Sequence, residues 1–180
     1  MNKTAARAEG DRGAVLVEFA LVLPIIVMLL FGLVSAGMAW NQNLAMASAA
    51  RAGGRYAATL RTASTGFTSI DDYLDAVAQR VVDSSEGALA TTVDGRVICV
   101  AYVHDSAGTS NDFDRTRSRT ETGTTVTRAN ASCYSDNQAA NETHIQISVQ
   151  RTTTIQTGLW SQTVTLQQKV VYRYEQASGL

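Results

Sequence analysis

The sequence is poor in the residues that build catalytic and metal sites. It has 2 cysteines and 2 histidines, too few for a zinc cluster or a disulfide-dense scaffold. His104 and His144 lack the spacing of metal ligands. A formal net charge of −1 excludes a broad electrostatic grip on nucleic acid. No nucleophile elbow, phosphate-binding glycine loop or paired Cys-x-x-Cys occurs. We therefore expect no enzyme activity, no cofactor, no metal and no nucleic-acid partner.

Charge is also absent from one long stretch, Phe19–Trp40, which reads FALVLPIIVMLLFGLVSAGMAW. At about 1.5 Å per residue, a helix of this length is roughly 33 Å long, enough to cross a hydrocarbon core of about 30 Å. A bilayer offers the backbone no water, so the segment should be helical. Trp40 ends the stretch where an interfacial aromatic residue belongs. The sequence predicts one transmembrane helix at about residues 19–40, in contact with membrane lipid.

The flanks of this segment indicate its orientation. Lys3, Arg7 and Arg12 precede it in a short polar leader, which the positive-inside rule places in the cytoplasm. Cys99 and Cys133 fit an oxidising exterior. We therefore expect a single-pass protein of the cell membrane with its C-terminal domain outside the cytoplasm.

The N-terminus allows more than one kind of cleavage. A secretory signal peptide could be cut at Ala47-Ser48-Ala49, although the apolar run is longer than a signal peptide requires. Alternatively, a cut after Gly13 would create an α-amino group on Ala14, one helical turn before Glu18. A carboxylate at the edge of an apolar helix is costly and needs a cation. Glu18 could pair with the Ala14 ammonium of its own chain or, in an assembly, of a neighbour.

The stretch Gly13–Phe19, GAVLVEF, resembles the class III signal of type IV pilin-like proteins, which a prepilin peptidase cuts after the glycine. More narrowly, RGAVLVEFALVLPIIVMLLFGLVSAGMAW is similar to the TadE-like family of Flp/Tad pilus minor pilins. Ala49–Ala57 and Val170–Glu175 resemble the family's helix extension and last strand. The chain departs from the family near position 53, where Glu-Gly-Ala-Arg is expected and Ala-Gly-Gly-Arg is found. The resemblance implies processing between Gly13 and Ala14 and assembly through Glu18 and Phe19. It also implies three kinds of partner: a prepilin peptidase, other pilin or minor pilin subunits, and the pilus assembly platform.

The helix should continue past the membrane to about Leu60, because the sequence stays rich in alanine. Small residues recur along it at four-residue spacing, which lets helices approach closely. These candidate helix-packing positions are Gly32, Ala36, Ala45, Ala49 and Gly53. An alanine-rich helix also produces such spacing by chance, and that alternative stays open.

The remainder of the chain, residues 62–180, is polar, threonine-rich and alternating. Ser69–Val82 has an N-cap and one apolar face, which predicts a short amphipathic helix. Arg96–Val103 is rich in β-forming residues and predicts a buried strand. His144–Ile155 and Thr163–Tyr174 alternate apolar and polar residues and should pair as an antiparallel hairpin.

Between the predicted strands, His104–Asn141 is polar and is expected to be a functional or disordered loop. Asp105 and Asn111–Asp114 lack the glycine and terminal glutamate of a calcium loop, which favours a solvated acidic turn. Cys99 and Cys133 could form a disulfide across this segment; the alternative is one buried and one exposed free thiol.

Together these patterns predict an α+β, pilin-like fold in which a long N-terminal transmembrane helix precedes a small domain with a short helix and an antiparallel β-sheet. The expected parts are a cytoplasmic leader (1–13), the long helix (14–61) and an extracytoplasmic domain (62–180). The resemblance implies a minor pilin or pseudopilin acting in pilus assembly, initiation or adhesion. The alternative is an unprocessed membrane anchor that carries a binding module, with the threonine-rich loop (105–141) as its recognition surface.

Overall fold

The computed structural model describes residues 5–60, 67–103, 115–129, 132–136 and 143–173, with the side chains of 5–12, 115 and 129 left aside. Within them the chain forms two helices and five strands. In chain order these are α1 (Ala5–Thr59), α2 (Ile70–Asp83), β1 (Val97–Val103), β2 (Arg115–Thr120), β3 (Thr125–Ala129), β4 (His144–Gln156) and β5 (Ser161–Arg173). The predicted α+β architecture is confirmed.

Helix α1 has 55 residues and contains Pro24. It ends at Thr59, as the alanine-rich sequence predicted, but it begins at Ala5, ten residues before the predicted start near Val15. The added segment, Ala5–Ala14, is mostly Ala, Arg and Glu, which are among the best helix formers. Gly13 therefore lies inside a continuous helix.

Helix α2 starts where its sequence predicted. The hydroxyl of Ser69 accepts a hydrogen bond of 3.1 Å from the backbone N–H of Asp72, and Asp71 and Asp72 lie in the first turn, where the helix dipole favours negative charge. One face is buried, and it comprises Tyr73, Leu74, Val77, Ala78 and Val81.

The five strands form one sheet in the order β3-β2-β1-β4-β5. Central strand β1 pairs antiparallel with β2 on one side and with β4 on the other. Four successive residues of β1, Ile98–Ala101, are buried, as expected of a strand covered on both faces. Strands β4 and β5 follow each other through a short turn in which Gly158 has a φ of 91°.

Strands β2 and β3 correct the prediction of a loop over His104–Asn141. They form an antiparallel hairpin whose turn contains Gly123 with a φ of 75°. The hairpin alternates threonine with arginine and serine instead of apolar with polar residues, so it lacks the usual signal of a half-buried strand. The expected acidic turn at Asp105 and Asn111–Asp114 lies outside the described residues.

The chain forms two compact units, one from Met1–Ala39 with Thr154–Thr163 and the other from Trp40–Thr153 with Val164–Leu180. The second unit contains a hydrophobic core in which the C-terminal part of α1 and one face of α2 pack with the sheet. Its fully buried members include Met46, Ala49, Ala50, Tyr73, Leu74, Val77, Val81, Ile98, Val100, Ile145, Ile147 and Val149.

Candidate functional site

The N-terminal part of α1 presents bare apolar side chains. Leu16 is 69 % exposed and Leu33 is 70 % exposed, and most large apolar residues between them are exposed as well. Among the described residues, Gly13–Thr59 is the one helical stretch long and apolar enough to cross a membrane. A surface of this size is stable only in an apolar environment. A single-pass anchor is therefore the arrangement that this helix suits.

The residues predicted to direct processing and assembly all lie on this exposed part of α1. Gly13 is exposed, and a Cβ at that position would meet nothing within 4 Å. Phe19 is 58 % exposed. Glu18 is exposed, and no described residue forms an ion pair with it. Because Ala14 and Glu18 are four residues apart in a helix, they lie on the same face, one turn from each other.

The five small-residue positions fall into two groups. Gly32 and Ala36 lie on the apolar part of α1 and are not buried. Ala49 and Gly53 are buried in the domain core, and Ala45 packs at the edge of that core. The second group therefore uses its small size within the subunit. In the first group, Ala36 is exposed, whereas Gly32 is half-buried and a Cβ there would lie 3.9 Å from Thr157 Cγ2.

At Gly53 and Gly54 helix α1 makes its closest approaches to the domain. A Cβ on Gly53 would overlap Val81 Cγ2 of α2 and would lie 3.3 Å from Ile147 Cδ1 of β4. A Cβ on Gly54 would overlap the ring of Tyr172 in β5. Both positions are buried, so a side chain larger than that of glycine would require their neighbours to shift.

Cys99 and Cys133 are joined in a disulfide, with a Cα–Cα distance of 5.8 Å, so the disulfide alternative is confirmed. The bond ties the segment 132–136 to β1. Buried Gln146 of β4 holds the same segment, since its Oε1 accepts from Cys133 N at 3.0 Å and its Nε2 donates to Tyr134 O at 3.1 Å.

Tyr134 anchors this segment to β5. Its hydroxyl donates to Val170 O at 2.8 Å, and the ammonium of Lys169 lies 5.0 Å from its ring centroid. Burial, helped by the negative charge of Asp136, raises the pKa of Tyr134 to about 12. His144 Nε2 lies 3.0 Å from Asp136 Oδ2. These contacts hold the segment 132–136 against β4 and β5.

Asp75 connects α2 to the unpredicted strand β2. Its carboxylate lies 2.6 Å from Arg117 Nη2 and 3.0 Å from Arg119 Nη2. Burial alone would raise the pKa of Asp75, but the hydrogen bonds and charges of the two arginines outweigh it and hold the pKa below its ordinary value of 3.8. The basic stretch of the predicted loop is thus partly neutralised inside the subunit.

The β4–β5 turn was not predicted from the sequence to be a candidate contact surface. Leu159 is 74 % exposed and Trp160 is 58 % exposed in this turn. Ser35 of α1 donates a hydrogen bond of 2.8 Å to Gln156 O at the start of the turn. The available signal was the dipeptide Leu-Trp placed where a polar turn is usual.

Comparisons with known proteins bear on the N-terminal part of the chain. No curated protein and no solved structure matches the chain. The family model described as TadE-like protein matches residues 13–55. The match begins at Gly13 and covers the exposed apolar part of α1 together with the residues that enter the core. Over these residues the chain carries the TadE-like family signature, as the sequence resemblance predicted.

Proposed function

We propose that the protein is a minor pilin or pseudopilin of a Flp/Tad-type pilus system, cut by a prepilin peptidase after Gly13 and assembled through α1. The observation that carries this proposal is the TadE-like match over residues 13–55, on a helix whose apolar N-terminal part is bare. In this proposal the subunit acts in pilus assembly, initiation or adhesion.

The exposed apolar part of α1, about residues 15–40, needs an apolar environment both before and after assembly. Before assembly the lipid bilayer covers it. After assembly other pilin subunits would cover it, with the exposed Ala36 allowing close helix–helix contact. Ala49 and Gly53 are already buried in the subunit. We therefore limit the contact between subunits to the part of α1 that precedes the domain.

Cleavage at Gly13 requires α1 to open locally, because Gly13 is helical. Glycine in a helix interior costs about 1 kcal/mol relative to alanine. This weak point lies at the N-terminal end of the apolar segment, beside the membrane surface. A peptidase that binds an extended strand of substrate would find the helix easiest to open there.

The new N-terminus would then complete a charge pair. The Ala14 ammonium and the Glu18 carboxylate lie one turn apart on the same helix face. In an apolar bundle both charges lose water, so each needs a partner of opposite charge. Pairing within a chain or between neighbours would fix the depth at which each subunit enters the assembly.

The remaining features agree with a domain outside the cytoplasm. A disulfide between Cys99 and Cys133 persists in oxidising compartments. The expected partners are a prepilin peptidase, other pilin subunits, the assembly platform and, before assembly, membrane lipid. We propose no nucleic-acid partner and no enzyme activity.

Two rival interpretations remain testable. Cutting at Ala47-Ser48-Ala49 would divide α1 where Ala47 and Ala49 are buried, and it would remove Met46 from the core. Because this cut would disrupt the core, the structure disfavours a secretory signal peptide. An unprocessed anchor carrying a binding module keeps α1 whole, and the N-terminus of its membrane form would be Met1 and not Ala14.

The test is the N-terminal residue of the membrane form, measured by mass spectrometry with and without a prepilin peptidase. We expect Ala14 with the peptidase, and the intact leader in Gly13→Leu, because a large side chain at that position strengthens the helix and obstructs the cleavage site. Gly37→Leu is the matched control; it changes an equally open glycine of the same helix and should be cut normally. Loss of residues 1–13 from Gly13→Leu, or an uncut wild-type chain beside an active peptidase, would contradict the proposal.

A further inference from the structure

The turn between β4 and β5 lies against the apolar segment of α1. Ser35 Oγ donates to Gln156 O at 2.8 Å. A Cβ on Gly158 would lie 3.7 Å from Phe31 Cδ2, and a Cβ on Gly32 would lie 3.9 Å from Thr157 Cγ2. The turn and this part of α1 belong to the same compact unit. The turn is therefore held at the level of residues 31–35, inside the stretch predicted to span the membrane.

The composition of the turn suits lipid better than water. Leu159 and Trp160 are its most exposed apolar side chains. From Thr152 to Gln168 the sequence contains no charged residue, so both arms of the hairpin near the turn are neutral. Exposing two large apolar side chains to water is unfavourable relative to burying them. Burial of this tip would recover part of that free energy without removing any charge from water.

Two backbone carbonyl groups at the ends of the turn have hydrogen-bond partners within the same unit. The carbonyl oxygen of Trp160 accepts from Thr157 N at 3.1 Å and from Thr157 Oγ1 at 3.2 Å. The carbonyl oxygen of Gln156 accepts from Ser35. Unsatisfied backbone groups are costly in hydrocarbon, and these carbonyl groups are satisfied within the unit itself.

The position along α1 gives the depth. Ser35 and Trp40 are five residues apart, about 7.5 Å along a helix axis. The interfacial layer of a bilayer is about 5–7 Å thick on each side of the hydrocarbon core. Trp40 ends the predicted span, so a turn fastened at Ser35 lies about 7.5 Å inside that end of the span. Tryptophan is enriched in the interfacial layer, because its ring is apolar and its N–H is polar.

We propose that the β4–β5 turn, residues 156–161, inserts into the outer leaflet of the membrane, with Leu159 and Trp160 in contact with lipid and Trp160 deeper than Trp40. The occupant of this surface is lipid, because the turn is fastened to the segment of α1 that lipid surrounds. The inference goes beyond the proposed function and needs only the membrane span, whether or not Gly13 is a cleavage site.

The test uses the full uncut chain, purified without a prepilin peptidase and reconstituted in phosphatidylcholine vesicles. Trp40→Phe leaves Trp160 as the one tryptophan, and Trp160→Phe leaves Trp40 as the matched control, since the chain has two. Emission is recorded with lipid brominated on its acyl chains and, separately, with acrylamide in the water. We expect brominated lipid to quench Trp160 by a larger fraction than Trp40, and acrylamide to quench Trp160 by the smaller fraction.

Two outcomes would overturn the proposal. Strong quenching of Trp160 by acrylamide with none by brominated lipid would place the turn in water. Protection of Trp160 from both quenchers would place it against protein, such as a second copy of the chain. Neither outcome depends on cleavage after Gly13, so this proposal and the proposed function can fail separately.

Discussion

At the scale of single residues, Gly53 shows how a small side chain serves the subunit itself. Its four-residue spacing from Ala49 is typical of a helix-association face, and the helix that it contacts is α2 of the same chain. Val81 occupies the space that a methyl group would need. Spacing along one helix reveals that a partner can come close but does not identify the partner. The residues that meet Gly53 and Gly54 lie far along the chain, so the sequence could not show them.

Gly53→Ala should lower the stability of the domain. Overpacking a well-packed core costs about 1–3 kcal/mol, whereas replacing glycine by alanine in a helix recovers about 1 kcal/mol. Val81 and Ile147 are both fully buried and cannot move away cheaply, so the overpacking cost should exceed the gain. Thermal unfolding of the full chain in detergent, followed by near-UV circular dichroism, measures the difference.

The control for this substitution is Gly37→Ala, where the added methyl group meets nothing within 4 Å. It should leave the melting temperature unchanged or raise it. A Gly53→Ala variant as stable as the Gly37→Ala variant would show that the contact between α1 and α2 adjusts at little cost.

At the scale of elements, helices and apolar strands were predictable and the polar hairpin was not. Ser69 and the apolar face of α2 gave both the start and the type of that helix. The alternation in β4 and β5 and the glycine between them predicted those strands. Strands β2 and β3 have arginine and threonine where apolar residues usually alternate. Arg117 and Arg119 are half-buried because Asp75, over 40 residues earlier in the chain, neutralises them.

Asp75→Asn should weaken the contact between α2 and β2. Removing the carboxylate leaves two half-buried guanidinium groups without their anion, and hydrogen bonds to charged groups contribute about 1.5–3 kcal/mol. Exposure to solvent reduces this, so we expect a loss of about 1–2 kcal/mol at neutral pH. Urea unfolding at several pH values measures it.

The sign of the pH dependence follows from the pKa of Asp75, which is lower in the folded than in the unfolded chain. The contribution is complete above the unfolded value of 3.8 and is lost as the pH falls through the folded value. The wild type and Asp75→Asn should therefore converge in acid. Asp83→Asn is the control on the same helix, because an asparagine can still accept the hydrogen bond from Gln79. A constant difference between wild type and Asp75→Asn down to the lowest pH would refute the ionic explanation.

At the scale of the whole molecule, the two ends of helix α1 have different roles. Its C-terminal part supplies Met46, Ala49 and Ala50 to the domain core, and its N-terminal part exposes apolar side chains for lipid or other helices. Hydropathy predicted this division, because an uncharged segment gives way to an alanine-rich one. The position of the β4–β5 turn was not predictable, since it depends on a hydrogen bond between Ser35 and Gln156, residues 121 positions apart.

We propose that the carboxylate of Glu18 acts in assembly, and Glu18→Ala tests that proposal. The variant lacks a carboxylate whose insertion into a bilayer is costly, so it should enter the membrane at least as well as the wild type and should still be cut after Gly13. In an assembled bundle the Ala14 ammonium would then be buried without an anion, at a cost of roughly 3–5 kcal/mol by analogy with broken buried ion pairs. We expect Glu18→Ala to reach the membrane in normal amount and mature form but to fail in piliation and in co-purification with other pilus components.

Glu18→Gln should fail in the same way, because it keeps the size of the side chain and removes only its charge. Leu16→Ala is the matched control: it shortens a neighbouring exposed side chain and leaves the ion pair intact, so it should support piliation. Full complementation of a deletion strain by Glu18→Ala would show that the carboxylate has no part in assembly. The unprocessed anchor would then explain the exposed apolar helix better than a subunit that passes from the bilayer into a pilus, because an anchor needs no charge pair inside a bundle.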